Sequence, residues 1–130
     1  MIVADTSALL AVIFQEPESR SCEQILSSEQ QILMSAGTLA EARIVALGRA
    51  VSQKLEELLV EIRPEIVPVD SHSSAMIGKA YRQWGKGFHP AGLNFGDCFA
   101  YALAKERDLP LLFVGNDFAR TDIRPAIGLA

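Results

Sequence analysis

At 130 residues, 49% of them hydrophobic and 22% charged, the chain can bury a core without disulfide or metal staples. Twelve basic against sixteen acidic residues give a net charge of −4, which excludes a protein that relies on a strongly basic surface. Two cysteines and two histidines at unrelated spacings match no zinc pattern, the apolar runs fall far short of a membrane span, and no basic leader precedes the first strand. A cytoplasmic location is the expectation.

Met1-Ile2-Val3-Ala4 is a short apolar run of the kind found in a buried parallel strand, and it hands over at once to Asp5-Thr6-Ser7. Helices are predicted near Thr6 to Phe14 and Glu18 to Ser28, a strand near Gln31 to Met34, and helices near Ala36 to Arg49 and Val51 to Ile62. Glu65 to Val69 reads as the third strand. The helix from about Ser71 to Trp84 offers Ala75, Ile77, Ala80 and Tyr81 for packing, and Gly85 to Leu93 is the one irregular stretch. The helix from Phe95 to about Arg107, opened by Asn94, presents Phe95, Cys98, Phe99 and Ala102 on one apolar face. Cys98 is therefore expected in the core, and Cys22 and Cys98 are both expected as reduced thiols. Leu111 to Val114 is the next strand, and Phe118 to Ala130 is expected to hold a turn and a short last strand. This βα alternation predicts an α/β fold with a parallel sheet covered on both faces, as one domain over residues 1–130.

Four acidic residues fall where such a fold gathers its chemistry. Asp5 follows the first strand, Glu41 lies in the N-terminal half of the helix after the second, and Asp117 ends the Gly115-Asn116-Asp117 turn after Leu111 to Val114. Asp97 is the third residue of the helix that Asn94 opens, and helix N-termini lie at the carboxyl edge of the strands. Open parallel sheets bind ligands outside that edge.

Each residue also has a local explanation. Asp5 suits a helix N-cap, Asp97 a capping box with Asn94, Glu41 a solvated helix face and Asp117 an Asx-turn. Convergence of all four changes the balance, because like charges repel and raise one another's pKa values. The arrangement makes sense mainly with cations present, and an all-oxygen donor set suits Mg²⁺ or Mn²⁺.

The segments Val3-Ala4-Asp5-Thr6-Ser7-Ala8-Leu9, Leu39-Ala40-Glu41, Gly85 to Cys98 and Leu112-Phe113-Val114-Gly115-Asn116-Asp117-Phe118 together resemble the PIN-domain family, and more narrowly the VapC toxins of type II toxin-antitoxin pairs. His89 to Tyr101 is the most specific part. The resemblance implies a three-layer α/β/α PIN-like fold, a Mg²⁺-dependent endoribonuclease leaving 5′-phosphate and 3′-hydroxyl ends, a cognate antitoxin and a homodimer. It carries the family's acidic quartet onto Asp5, Glu41, Asp97 and Asp117. Two positions depart from close relatives: Asn116 stands where Asp is frequent, and Phe88 where a basic residue is common.

Phosphodiester hydrolysis needs a nucleophilic hydroxide near neutral pH, neutralised phosphoryl oxygens and help for a departing alkoxide, and one or two Mg²⁺ ions supply all three. Asp5 and Asp97 are expected as the direct ligands, with Glu41 and Asp117 holding waters or a second ion. Thr6 and Ser7 are candidates to orient Asp5 or a water, and equally to satisfy free N–H groups at a helix start. Four site carboxylates account for a charge of −4, which leaves the remaining surface near neutral. RNA contacts are expected from Arg43, Arg82, Lys86 and His89, with Arg49, Lys79 and Arg120 as further candidates, and each is also an ordinary solvated residue or, for His89, a loop-fixing donor. No aromatic interleaving of the base-stacking type is evident.

Two other functions fit parts of the pattern. A degenerate PIN module that only binds a partner predicts loss of a quartet residue, and none is lost. A phosphoacceptor receiver domain shares the length, sheet and acidic rim but needs a lysine after the last core strand, where Gly115-Asn116-Asp117 stands. A dinucleotide-binding domain lacks its glycine fingerprint after the first strand.

Overall fold

Successive residues of a strand point to opposite faces, and the central strands use both. Ile2, Ala4, Ile32, Met34 and Leu112 enter one core, while Val3, Leu33 and Leu111 enter another. The computed structural model describes residues 1–127, and in it a four-stranded sheet lies between two helical layers. The strands are β1 (Ile2–Ala4), β2 (Ile32–Ser35), β3 (Glu65–Val67) and β4 (Leu111–Leu112), all parallel, in the order β3-β2-β1-β4. The first core packs α1 (Thr6–Ile13), α2 (Ser19–Ser28), α3 (Ala36–Gly48) and α4 (Ser52–Ile62), and the second packs α5 (Ser71–Trp84) and α6 (Phe95–Arg107). The predicted three-layer α/β/α fold is present.

Chain order explains which helix goes where. The strands step outward from β1 through β2 to β3, and the chain then recrosses the sheet to add β4 on the far side of β1. Right-handed crossovers put helices on opposite faces when the stepping direction reverses. The reversal lies between β1 and β4, which is where an open parallel sheet leaves a crevice.

Five expectations need correction, the first being the third strand, expected from Glu65 to Val69, which ends at Val67. The strand predicted from Leu111 to Val114 stops at Leu112, because its neighbour β1 has turned into α1 by Thr6 and the Val114 N–H is taken instead by the Ser7 hydroxyl at 3.0 Å. The short last strand is reduced to a single bridge, Leu111 to Pro125, and residues 128–130 of that expectation lie outside the described residues. Ala75 is exposed rather than packed. Phe95 leaves the apolar face assigned to it and is 73% exposed, while Cys98 is buried as expected.

Cys22 and Cys98 are free and buried, and burial pushes both thiols up to about 11, so they remain protonated. No helix among the described residues is long and apolar enough to cross a membrane.

Candidate active site

Asp5 is buried at the end of β1 and caps α1. Its Oδ2 accepts the Ser7 N–H at 3.1 Å and the Ser7 hydroxyl at 2.7 Å, whereas Oδ1 is buried without a hydrogen-bond donor. Ser7 does more than cap, since its hydroxyl oxygen also accepts the Val114 N–H. One side chain thus ties Asp5 to the segment leaving β4, on either side of the topological reversal. Ser7→Ala is expected to cost about 1–3 kcal/mol, because it strips a partner from a buried carboxylate and from a backbone N–H. Urea denaturation measures this, and a loss below roughly 0.5 kcal/mol would contradict the bridge.

Thr6 behaves differently from its neighbour. Its buried hydroxyl donates to the Thr38 carbonyl at 3.2 Å, so it fastens α1 to the first turn of α3 and does not orient Asp5. Glu41 follows one turn later in α3, half-buried, with its carboxylate against the backbone of Gly96 in α6. An ideal Cβ on Gly96 would stand 1.9 Å from Glu41 Oε2.

Asp97 is buried in the first turn of α6, where it forms a reciprocal capping box with Asn94. Its Oδ2 accepts the Asn94 N–H at 3.0 Å, and Asn94 Oδ1 accepts the Asp97 N–H at 2.9 Å. The capping role and the site role are compatible, because one oxygen serves the helix and the other makes no protein hydrogen bond among the described residues. Asp117 is exposed beyond β4, after a turn in which Gly115 adopts φ +100°, a conformation that favours glycine. Asn116 is exposed beside it, and its carbonyl accepts the Ala119 N–H at 3.2 Å.

The electrostatics bring the four together. Burial pushes the Asp97 carboxyl up to about 7; the Asn94 bond pulls it partly back, and the charges of Asp5, Asp117 and Glu41 raise it further. Burial likewise raises Asp5 to about 6, against the two Ser7 bonds and with Glu41 adding to the rise. The cluster is nevertheless open. Among the described residues no three His, Cys, Asp or Glu side chains are drawn tightly enough to form a ready-made metal cage. Asp5 Oδ1, the second oxygen of Asp97, Glu41 and Asp117 are the groups on this rim that could hold a cation. A groove of about 620 Å³, lined by Val12, Arg20, Leu26, Leu58 and Ile62 among others, contains none of them.

The predicted basic contacts separate into two groups. Arg43 stands two residues from Glu41, on a different face of α3, and pairs with Glu56 of α4 at 3.3 Å. Arg49 lies over the Phe14 ring at 4.4 Å. Arg82 and Lys86, at the end of α5 and just after it, are exposed and join no salt bridge among the described residues, as are Lys79 and Arg120. His89 fixes the loop as an acceptor rather than a donor: its Nδ1 receives the Ala91 N–H at 2.9 Å and its ring meets Trp84 edge-on at 4.7 Å. Trp84 in turn donates to the Tyr101 hydroxyl at 2.7 Å, which donates to Asp122. Phe88 within this loop and Phe95 just after it are exposed aromatic rings, an exposure that sequence inspection missed. Gly96 was missed as well, although a glycine in the first turn of a helix forfeits propensity and so signals a close approach.

A parallel sheet with carboxylates gathered over its carboxyl edge defines a class, and comparison with known proteins agrees. The PIN domain family model matches residues 2–124, and this chain belongs to that family. Among curated relatives it is 39% identical over 125 residues to the protein named Ribonuclease VapC30 of Mycobacterium tuberculosis, covering 94% of this chain and 95% of that one. In solved structures it is similar to Mycobacterium tuberculosis VapC20, described as a Sarcin-Ricin loop cleaving toxin, with TM-score 0.74, 13% identity and coverage of 96% and 100%. It is also similar to a chain in a toxin-antitoxin complex from Klebsiella pneumoniae, with TM-score 0.68, 19% identity and coverage of 94% and 93%.

Proposed function

We propose that this protein is a Mg²⁺-dependent endoribonuclease of the VapC type, the toxin of a type II toxin-antitoxin pair. The observation that carries the reading is the gathering of carboxylates at the topological reversal, where Asp5 Oδ1 is buried without a donor and the charges of Asp5, Asp117 and Glu41 bear on the buried Asp97. Repulsion of this kind costs stability unless a cation offsets it. The residues fit a hard divalent ion: Asp5 Oδ1 is buried without a donor, and the donors are all oxygens. An open cluster suits an ion such as Mg²⁺, which keeps several of its waters. Mn²⁺ is expected to substitute.

Asp5 and Asp97 would hold the ion directly, with Glu41 and Asp117 oriented toward its waters or a second ion. When bound, the metal supplies a nucleophile at neutral pH and stabilises charge on the phosphoryl oxygens and the leaving group. The protein's own share is positioning. Ser7 and Asn94 each fix one carboxylate oxygen and leave the other without a protein donor. Asn116 is a supporting residue in the turn that presents Asp117. Lys86 and Arg82 are the unpaired cations closest in sequence to this end of α6, and they are proposed to hold the RNA backbone. His89 keeps the loop that carries Lys86 in shape. Arg43, engaged with Glu56, would contribute only after that pair opens.

The partners follow the same reading. A toxin requires a cognate antitoxin, whose test is loss of RNA cleavage when the product of an adjacent small gene is added. A homodimer is favoured by Ile44 and Leu47 on α3 and by Phe95, each more than 70% exposed. A cytoplasmic location suits a nuclease acting on cellular RNA.

Substrate class is tested by RNA affinity across salt, using an Asp5→Asn protein in Ca²⁺. Affinity should fall with a shallow slope, because few phosphates are neutralised and each contributes about −0.7 to −0.9 in log–log terms. Lys86→Ala should lower the slope by roughly one contact and leave metal binding unchanged. A salt-independent affinity, or no RNA binding beside tight binding of a peptide partner, moves the assignment to a partner-binding module.

A further inference from the structure

We propose that Gly96 is a positioning residue of the acidic site: its missing side chain is what allows Glu41 of α3 to stand beside Asp97 of α6. The inference rests on the nuclease reading for its consequence but on geometry for its substance. A Cβ at position 96 would lie 1.9 Å from Glu41 Oε2, 2.6 Å from its Cδ and 3.0 Å from its Oε1, so the whole carboxylate lies against this backbone. No other glycine among the described residues has a carboxylate in that position. Gly37 and Gly85 abut the aromatic rings of Phe99 and Tyr81, and the remaining glycines have open surroundings or an ordinary contact.

Elsewhere in the molecule the alternatives are weaker. The 620 Å³ groove and the apolar α3–α4 surface carry nothing that names an occupant, and the Trp84–Tyr101–Asp122 chain is already satisfied. At Gly96 the constraint points in one direction. Gly96 is buried and sits between Phe95 and the capping-box residue Asp97, in the part of α6 that Asn94 holds in place. Glu41 is half-buried in α3, whose first turn is pinned to α1 through Thr38 and Thr6. The two helices meet here through one glycine and one carboxylate, and a turn away through Gly37 against the Phe99 ring. A methyl group there meets the far end of a flexible side chain, so the carboxylate is what swings away. Displacement by about 1 Å is enough to cost roughly a hundredfold in rate.

The experiment is a double-mutant cycle on Gly96→Ala and Glu41→Ala, read three ways. Metal-free melting temperature comes first. In the Glu41→Ala background, Gly96→Ala should raise it by roughly 1–3 °C, part of the interior propensity gain because position 96 lies in the first turn. In the parent background the gain should be smaller or absent, because the carboxylate must first move. Calorimetric Mn²⁺ affinity comes second: Gly96→Ala should weaken it about tenfold in the parent and add no further loss once Glu41 is Ala. RNA cleavage comes third, with a loss of roughly a hundredfold for Gly96→Ala. Equal effects of Gly96→Ala on stability in both backgrounds, or parental Mn²⁺ affinity and cleavage in Gly96→Ala, would overturn the proposal. A parent that neither binds Mn²⁺ nor cuts RNA overturns the nuclease reading, and the melting cycle still decides whether Gly96 and Glu41 are coupled. Should Gly96→Ala alone fail to fold, the double variant still folds under this proposal, and failure of both overturns it.

Discussion

Asp97→Asn is expected to reduce RNA cleavage by about a thousandfold or more while making the metal-free protein more stable near neutral pH. The two effects share one cause. Burial and three neighbouring carboxylates hold Asp97 at about 7, so its ionised form is disfavoured in the folded state. Asn removes that charge and still offers an oxygen to the Asn94 N–H, which keeps the capping box able to form. A gain of about 2 kcal/mol near pH 8 is the expected size, shrinking as pH falls below about 7 and vanishing only near the unfolded pKa of 3.8, where both states are protonated. Cleavage assays on the purified variant and urea denaturation across that pH range measure both parts. Cleavage at the parent rate would remove Asp97 from the chemistry. A variant less stable than the parent at every pH would mean that the cap, rather than the repulsion, dominates at this position.

The second large effect is an unusual dependence of stability on pH, and on metal. Asp5 and Asp97 are both raised in the folded protein, from 3.8 to about 6 and about 7. A raised group contributes stability that is fully present below its unfolded pKa and is lost as pH rises through its folded pKa. The metal-free protein should therefore be more stable near pH 5.5 than near pH 8, by roughly 3 kcal/mol once the coupling between the two titrations is allowed for. Asp70 and Asp122, both lowered in the folded state, work in the opposite sense but only at more acidic pH. Mn²⁺ at about a hundredfold over its dissociation constant near pH 8 should add roughly 2.7 kcal/mol, because it binds the ionised carboxylates of the folded state alone. The pH dependence should then nearly vanish, and EDTA should restore it. Thermal melts that are indifferent to Mn²⁺, or a metal-free protein that loses stability between pH 8 and 5.5, would contradict the account.

Much of this was visible in the chain because local pattern and global fold agree. Ile2-Val3-Ala4 is apolar at every position, which is what a strand buried on both faces requires, and the two cores indeed divide its residues between them. Asn94 and Asp97 stand at capping-box spacing, and the box forms. Asp5, Asp97 and Asp117 were placed at one rim because strand ends and helix starts in a parallel sheet share an edge. What could not be read is which side chain meets which across long separations. Ser7 and Val114 are 107 residues apart, and the hydroxyl that joins them also shortens β4. Arg43 was assigned to the rim by its closeness to Glu41 in sequence, yet two residues along a helix turn a side chain to another face, here toward Glu56. Phe95 fits the apolar face by position, but it is the first residue of α6, ahead of the turn that the sheet covers, and is left in solvent. Gly96 carries no pattern of its own, and its role exists only once α3 and α6 are packed.

RNA cleavage by the purified protein, with the product ends identified, tests the central claim most directly. A labelled RNA incubated with the parent protein in Mg²⁺ or Mn²⁺ should be cut internally to leave 5′-phosphate and 3′-hydroxyl ends, with cleavage abolished by EDTA and absent in Asp5→Asn and Asp97→Asn. Cleavage that persists in EDTA, or that leaves 2′,3′-cyclic phosphates, would contradict an acidic metal centre at the β1–β4 rim.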